Sequence, residues 1–148
     1  MPLPPVTGVK SFYRADLLFY DVEQTGASYR AAVYFDNPDA GPDTPEDAAH
    51  GFAGSFSIFG KGGCFGDEGH CIPRAPAHRF DRRAPHPALP TLKVVRVTDA
   101  VRGLLARGLT EVSVTLVPTL ADTAGVKIEG DLEHPIQFGQ LGLVTYDR

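Results

Sequence analysis

The sequence predicts a mostly β protein, an antiparallel β-sandwich of about seven strands with one short helix and a long central loop. Three observations carry that expectation. Period-two apolar alternation recurs along the chain, 16 Gly and 13 Pro favour turns over a helical bundle, and no strand–helix–strand rhythm of a parallel sheet is visible. The 148 residues suit one domain, able to bury roughly two thirds of its unfolded surface around a single core.

Residues 1–13 read as a proline-rich lead-in, leaving 14–148 as the domain. Residues 15–22 are apolar on both faces, which suits a strand inside a sheet. A glycine-containing turn over 23–28 then leads to a second strand, 29–35, with Tyr29, Ala31, Val33 and Phe35 on one face. The two are expected to form a hairpin.

The connection 36–49 is rich in proline and acids. Asp36, Asp39, Asp43 and Asp47 follow no calcium-loop spacing and read as solvated carboxylates. A strand over 50–60 follows, expected to be central, with Phe52, Phe56 and Ile58 on one face and Ala53, Ser55, Ser57 and Phe59 on the other. Gly54, among the phenylalanines, marks a point where another backbone or a large side chain comes close.

Residues 60–91 lack sustained periodicity, and five prolines from Pro73 to Pro90 exclude a regular helix. A loop of that length inside one domain is usually functional. Regular structure resumes with a strand at 92–97 and a helix with Val101, Leu104 and Leu105 as its apolar stripe, capped by Thr98 and ended by Gly108. Residues 111–117 alternate cleanly with Val112, Val114 and Leu116 inward, and Pro118 is expected to stop that strand. Residues 126–128 suit a short edge strand, and 135–146 a last strand with a bulge near Gly139 to Gly142.

A formal net charge of −4 does not support a nucleic-acid footprint, although Arg74, Arg79, Arg82 and Arg83 form a local basic run. No basic, apolar leader and no stretch of about 18 apolar residues is present, so the expectation is a cytoplasmic chain without membrane contact, export with a partner remaining open. Ser55 and Ser57 sit near His50 but lie in a strand without the nucleophile-elbow pattern. The glycine-rich loop 60–66 has no helix after it to complete a phosphate site.

Metal chemistry is the sharper candidate. Cys64, His70, Cys71, His78 and His86 fall in one loop, and thiolate with imidazole suits copper(I) or zinc. The spacings follow no established zinc pattern, and a Cys64–Cys71 disulfide would remove both sulfurs. No cofactor is firmly implied, with copper the metal these ligands would suit.

The chain resembles the C-terminal domain of polyphenol oxidases and tyrosinases. Asp16-Leu-Leu-Phe-Tyr-Asp-Val22 stands where the plant domain has Lys-Phe-Asp-Val, though without the lysine. Phe52-Ala-Gly-Ser-Phe56, Val112-Ser-Val-Thr-Leu-Val-Pro118 and Val126-Lys-Ile128 follow in the family's order. Gly69-His-Cys71, Arg79-Phe-Asp-Arg82, Pro85-His86, Val97-Thr-Asp-Ala100 and Leu143-Val-Thr-Tyr-Asp147 are closer to bacterial versions associated with tyrosinase-like catalytic domains.

The resemblance implies a β-sandwich packed over a partner's binuclear copper site, in cis or in trans, with a side chain inserted into the substrate entrance. Phe65, between glycines at the loop tip, is the candidate plug. The family's copper site takes six histidines and the chain has five, none in an i, i+4 pair, so the expectation is a non-catalytic accessory domain that shields the entrance and assists copper loading. The alternatives are a free-standing copper or zinc carrier and a generic recognition module.

Overall fold

The computed structural model describes residues 1–3, 12–60, 89–121 and 133–147. Within them the order is β1 (Arg14–Val22), β2 (Tyr29–Phe35), a 3-10 turn (Ala48–His50), β3 (Phe52–Ile58), β4 (Thr91–Arg96), α1 (Thr98–Ala106), β5 (Val114–Leu120) and β6 (Gln140–Tyr146). The described strands number six, where about seven were expected. Residues 126–128 lie outside the described residues.

The strands form two antiparallel three-stranded sheets, a front sheet in the order β4-β1-β6 and a back sheet in the order β3-β2-β5. Strand β1 is central, as its two apolar faces require. The hairpin expectation fails, because β1 and β2 lie in different sheets and residues 23–28 carry the chain from one to the other. Strand β3 is an edge and not a centre. Among the described residues its hydrogen-bonded neighbour is β2, and its buried side chains Phe56 and Ile58 pack into the core shared with the opposite sheet.

One core joins the sheets. Ala15, Leu17 and Phe19 of β1 are fully buried and share a cluster with Tyr29, Ala31 and Val33 of β2, Phe56 and Ile58 of β3, Val95 of β4 and Val101 and Leu104 of α1. The Phe19 and Phe56 rings stand 4.7 Å apart across the two sheets, and burying a phenylalanine this fully contributes about 2–3 kcal/mol. Gly54 lies where β3 meets β4: a Cβ there would come 2.6 Å from Cγ1 of Val95. The close approach read from the sequence is therefore present.

A bulge separates the expected phenylalanine partners. Val33 pairs with Gly54 but Tyr34 pairs with Phe52, so Ala53 is the extra residue. Phe52 is thereby turned to the outer side of the back sheet, where it packs with Tyr34, Ala32 and Val117, while Phe56 stays in the main core. The connection 36–47 lies over that outer side: the Tyr34 hydroxyl donates to the Thr44 carbonyl and Arg30 holds Glu46 through two hydrogen bonds.

Three further local expectations are corrected. Thr98 does not cap α1; its hydroxyl accepts from the Ala15 backbone at 3.0 Å and ties the helix to β1. Pro118 does not end β5, which runs on to Leu120 as an edge strand where a missing N–H is tolerated. Residues 135–138 are not strand, although Phe138 meets the Phe19 ring edge-on at 5.4 Å.

Candidate functional site

The register places β1's end, β2's start, β3's end, β4's start, β5's end and β6's start together, at the turn 23–28. That turn is the anchorage of the long central segment. The Gly60 amide donates to the Ser28 hydroxyl at 3.0 Å, and the Gln24 side-chain amide donates to the Leu89 carbonyl at 2.5 Å. Gly60 packs so tightly on Gly26 and Ala27 that no side chain fits there.

Residues 121 and 137 are tied to the same region, Ala121 donating to the Ser28 carbonyl and Glu23 to the Gln137 carbonyl. Residues 60, 89, 121 and 137 are thus all tied to this one end. Cys64, Phe65, His70, Cys71, His78 and His86, and the Cys64–Cys71 pairing, all lie outside the described residues.

A large apolar side chain does stand free at this end. Phe59, the first residue after β3, is 86% exposed, and Leu89 is 55% exposed where the chain returns. Leaving a phenylalanine in water forgoes about 2–3 kcal/mol that contact with a partner would recover. Sequence reading passed over Phe59 in favour of Phe65. The signal was present, since Phe59 is the one large residue on a β3 face otherwise made of Ala53, Ser55 and Ser57.

The opposite end carries a groove of about 810 Å³ between the 3-10 turn, the start of β3 and α1. Ala49, Gly51, Ala53, Ala100 and Gly103 leave it open because they are small, and His50, Arg96 and Arg107 stand along it. Gly51 is obligatory, with φ of 80° and the Phe35 carbonyl against its α-carbon.

His50 is oriented by Asp47, whose carboxylate contacts Nδ1 at 2.7 Å and accepts from the His50 backbone at 3.0 Å. These bonds hold the Asp47 carboxyl below its ordinary range. A carboxylate-held imidazole is half of an acid–base relay. Among the described residues the lining offers no Ser or Cys to complete it, and Thr98 is engaged with Ala15. Ser55 and Ser57 sit elsewhere, paired opposite Ala32 and Arg30.

Among the described residues no group of three or more His, Cys, Asp or Glu side chains is placed to hold a metal ion. None of the helices described is long and apolar enough to cross a membrane. No family model matches the chain, and no curated protein or solved structure matches it either.

Proposed function

We propose that the chain is a non-catalytic accessory domain of a tyrosinase-type binuclear copper oxidase, with the turn end as the surface that covers the substrate entrance. The observation that carries this reading is the tethering of residues 60 and 89 to one turn, beside the exposed Phe59. The ordered motifs from residue 16 to 147 support it independently.

Under this reading the two sheets are a β-sandwich completed by a seventh strand at 126–128. Segment 61–88 reaches the partner with Phe65 as plug, and Phe59 adds apolar contact at its base. An aromatic plug suits an entrance shaped for phenols, because offset or edge-on ring contacts add about 0.5–1.5 kcal/mol to the burial of the ring itself. Copper belongs to the partner, and Cys64, His70 and Cys71 are the donors that would assist its loading.

The test is phenol oxidation by a tyrosinase-type catalytic domain with and without the chain. Suppression by the native chain, relieved by Phe65→Gly and weakened by Phe59→Ser, is expected. An unchanged rate at saturating chain overturns the shielding role. Copper(I) titration of the reduced chain separates the carrier alternative, which requires tight stoichiometric binding lost in Cys64→Ser and Cys71→Ser even where the oxidase is unaffected.

A recognition role is favoured by the groove alone. Filling it with Gly103→Leu, at a position open to the groove side, would abolish such recognition and leave oxidase suppression intact.

A further inference from the structure

The groove between the 3-10 turn, β3 and α1 measures about 810 Å³, within the roughly 300–1,000 Å³ of small-molecule sites. Its walls are mostly apolar and short. On the helix side Ala100, Gly103 and Arg107 recur at i, i+3 and i+7, which places them on one face. A Cβ at Gly103 would meet no described atom within 4 Å, so Arg107 stands beside open space. Ala49, Gly51 and Ala53 form the facing wall.

The charges of the lining are unequally committed. Asp36 accepts from the Ser113 amide at 3.0 Å and from its hydroxyl at 3.4 Å, and Asp99 is met by Arg102 at 3.5 Å. The His50 ring is matched by Asp47. Two arginines, Arg96 and Arg107, complete the lining. Arg96 lies opposite Asp16 in the register of β4 with β1, yet both Asp16 oxygens are taken by Arg14, at 2.8 and 2.6 Å. In a chain of formal net charge −4, the carboxylates at this groove are each bound by another group while two guanidiniums stand along apolar walls.

We propose that the groove binds a small organic anion, a carboxylate or phosphate held by Arg96 and Arg107, on an apolar body that lies along Ala53, Ala100 and Gly103. A guanidinium meets such an oxyanion with paired N–H donors, and the charge on both partners makes those bonds stronger than neutral ones. The small side chains take the rest of the ligand without contributing a competing polar group.

This ligand class rests on the recognition reading of the groove, and nothing in it requires the shielding role. The groove lies at the opposite end of β3 from Phe59.

The experiment is an amide-detected NMR titration of the full chain with three probes of one shape: naphthoate, naphthyl phosphate and neutral naphthamide. Low salt is used, where exposed charges are least screened. At least one of the two anions shifts the Ala53, Ala100 and Gly103 amides and binds at least about tenfold more tightly than naphthamide. The tighter of the two names the oxyanion. The double change Arg96→Gln with Arg107→Gln, at two exposed side chains, removes that margin and leaves naphthamide binding as it was. Gly103→Leu abolishes binding of all three, and Arg30→Gln, on the outer side of the back sheet, changes none.

Anions that bind no more tightly than naphthamide overturn the ligand class and spare recognition by the groove. Anion binding that the double change leaves at full strength overturns the assignment to the two arginines. Groove amides that stay unshifted with every probe at millimolar concentration overturn both the ligand class and the recognition reading.

Discussion

Adding one methyl group at Gly54 tests how the two sheets are joined. Its φ of 146° lies in a region that side chains avoid, and holding alanine there costs about 1–3 kcal/mol. The new Cβ would also stand 2.6 Å from Cγ1 of Val95, which is itself 3% exposed and has little room to retreat. Overpacking of that kind costs a further 1–3 kcal/mol or so. Gly54→Ala is therefore expected to destabilise by about 3–4 kcal/mol in urea unfolding, with an unchanged denaturant slope.

The steric part is separable from the backbone part. Val95→Ala removes the clashing atom, so the double variant should lose about 1–2 kcal/mol less than the sum of the single changes. The backbone part remains because no change at Val95 alters φ at Gly54. A cost under about 0.5 kcal/mol for Gly54→Ala, or strict additivity with Val95→Ala, would refute the contact between β3 and β4 as the closure of that side.

Other perturbations follow from single buried or paired groups. Tyr29 is buried with no hydrogen-bond partner for its hydroxyl among the described residues, and burial pushes its pKa up to about 12. Its neutral form is favoured in the folded state, so its contribution is complete below the ordinary value near 10 and is lost as pH rises towards about 12. Tyr29→Phe should be neutral or stabilising by up to about 1 kcal/mol near neutral pH and should raise the alkaline unfolding midpoint. Asp16 is 1% exposed and its carboxylate is paired with Arg14, which is 37% exposed; Arg14→Met leaves that buried carboxylate without its partner and is expected to lower the urea unfolding midpoint. The Glu46 carboxyl is held low by hydrogen bonds from Arg30, and that of Asp47 by His50. What these pairs contribute is present above the ordinary carboxylate range and is lost as pH falls through the lowered values; in a carboxyl-detected NMR titration, Arg30→Gln should return Glu46 alone to the ordinary range.

Alternation located strands well and partners poorly. Strand β2 was expected over 29–35 and is observed as Tyr29–Phe35. Yet period two states only which residues share a face, so it could not show that β1 and β2 belong to different sheets. In the connection between them, Gln24 and Ser28 bind residues 89 and 60, distant partners absent from any local window. The bulge at Ala53 is likewise a pairing property, and it placed Phe52 and Phe56 in different clusters despite their even spacing. Thr98 had the right chemistry for a cap, but the Ala15 amide competed for its hydroxyl. The groove was invisible for the same reason, since its walls come from residues near 36, 50, 96 and 103. The exposure of Phe59 was likewise not legible, because it depends on which distant residues pack beside the end of β3.

Strand β3, an edge of its sheet and not its centre, links the two candidate surfaces. It leaves His50 and the groove at one end and delivers Phe59 and residue 60 to the other. Its seven residues separate the two by about 23 Å, well beyond the roughly 7–10 Å within which substitutions couple. A groove-filling change at Gly103 and an apolar truncation at Phe59 should therefore act independently on any activity they affect. Gly54 is the exception, because it fixes β3 against β4 midway between them. A change there would alter how both ends are presented, so a shared effect of Gly54→Ala on two otherwise additive functions would locate their common support in this one contact.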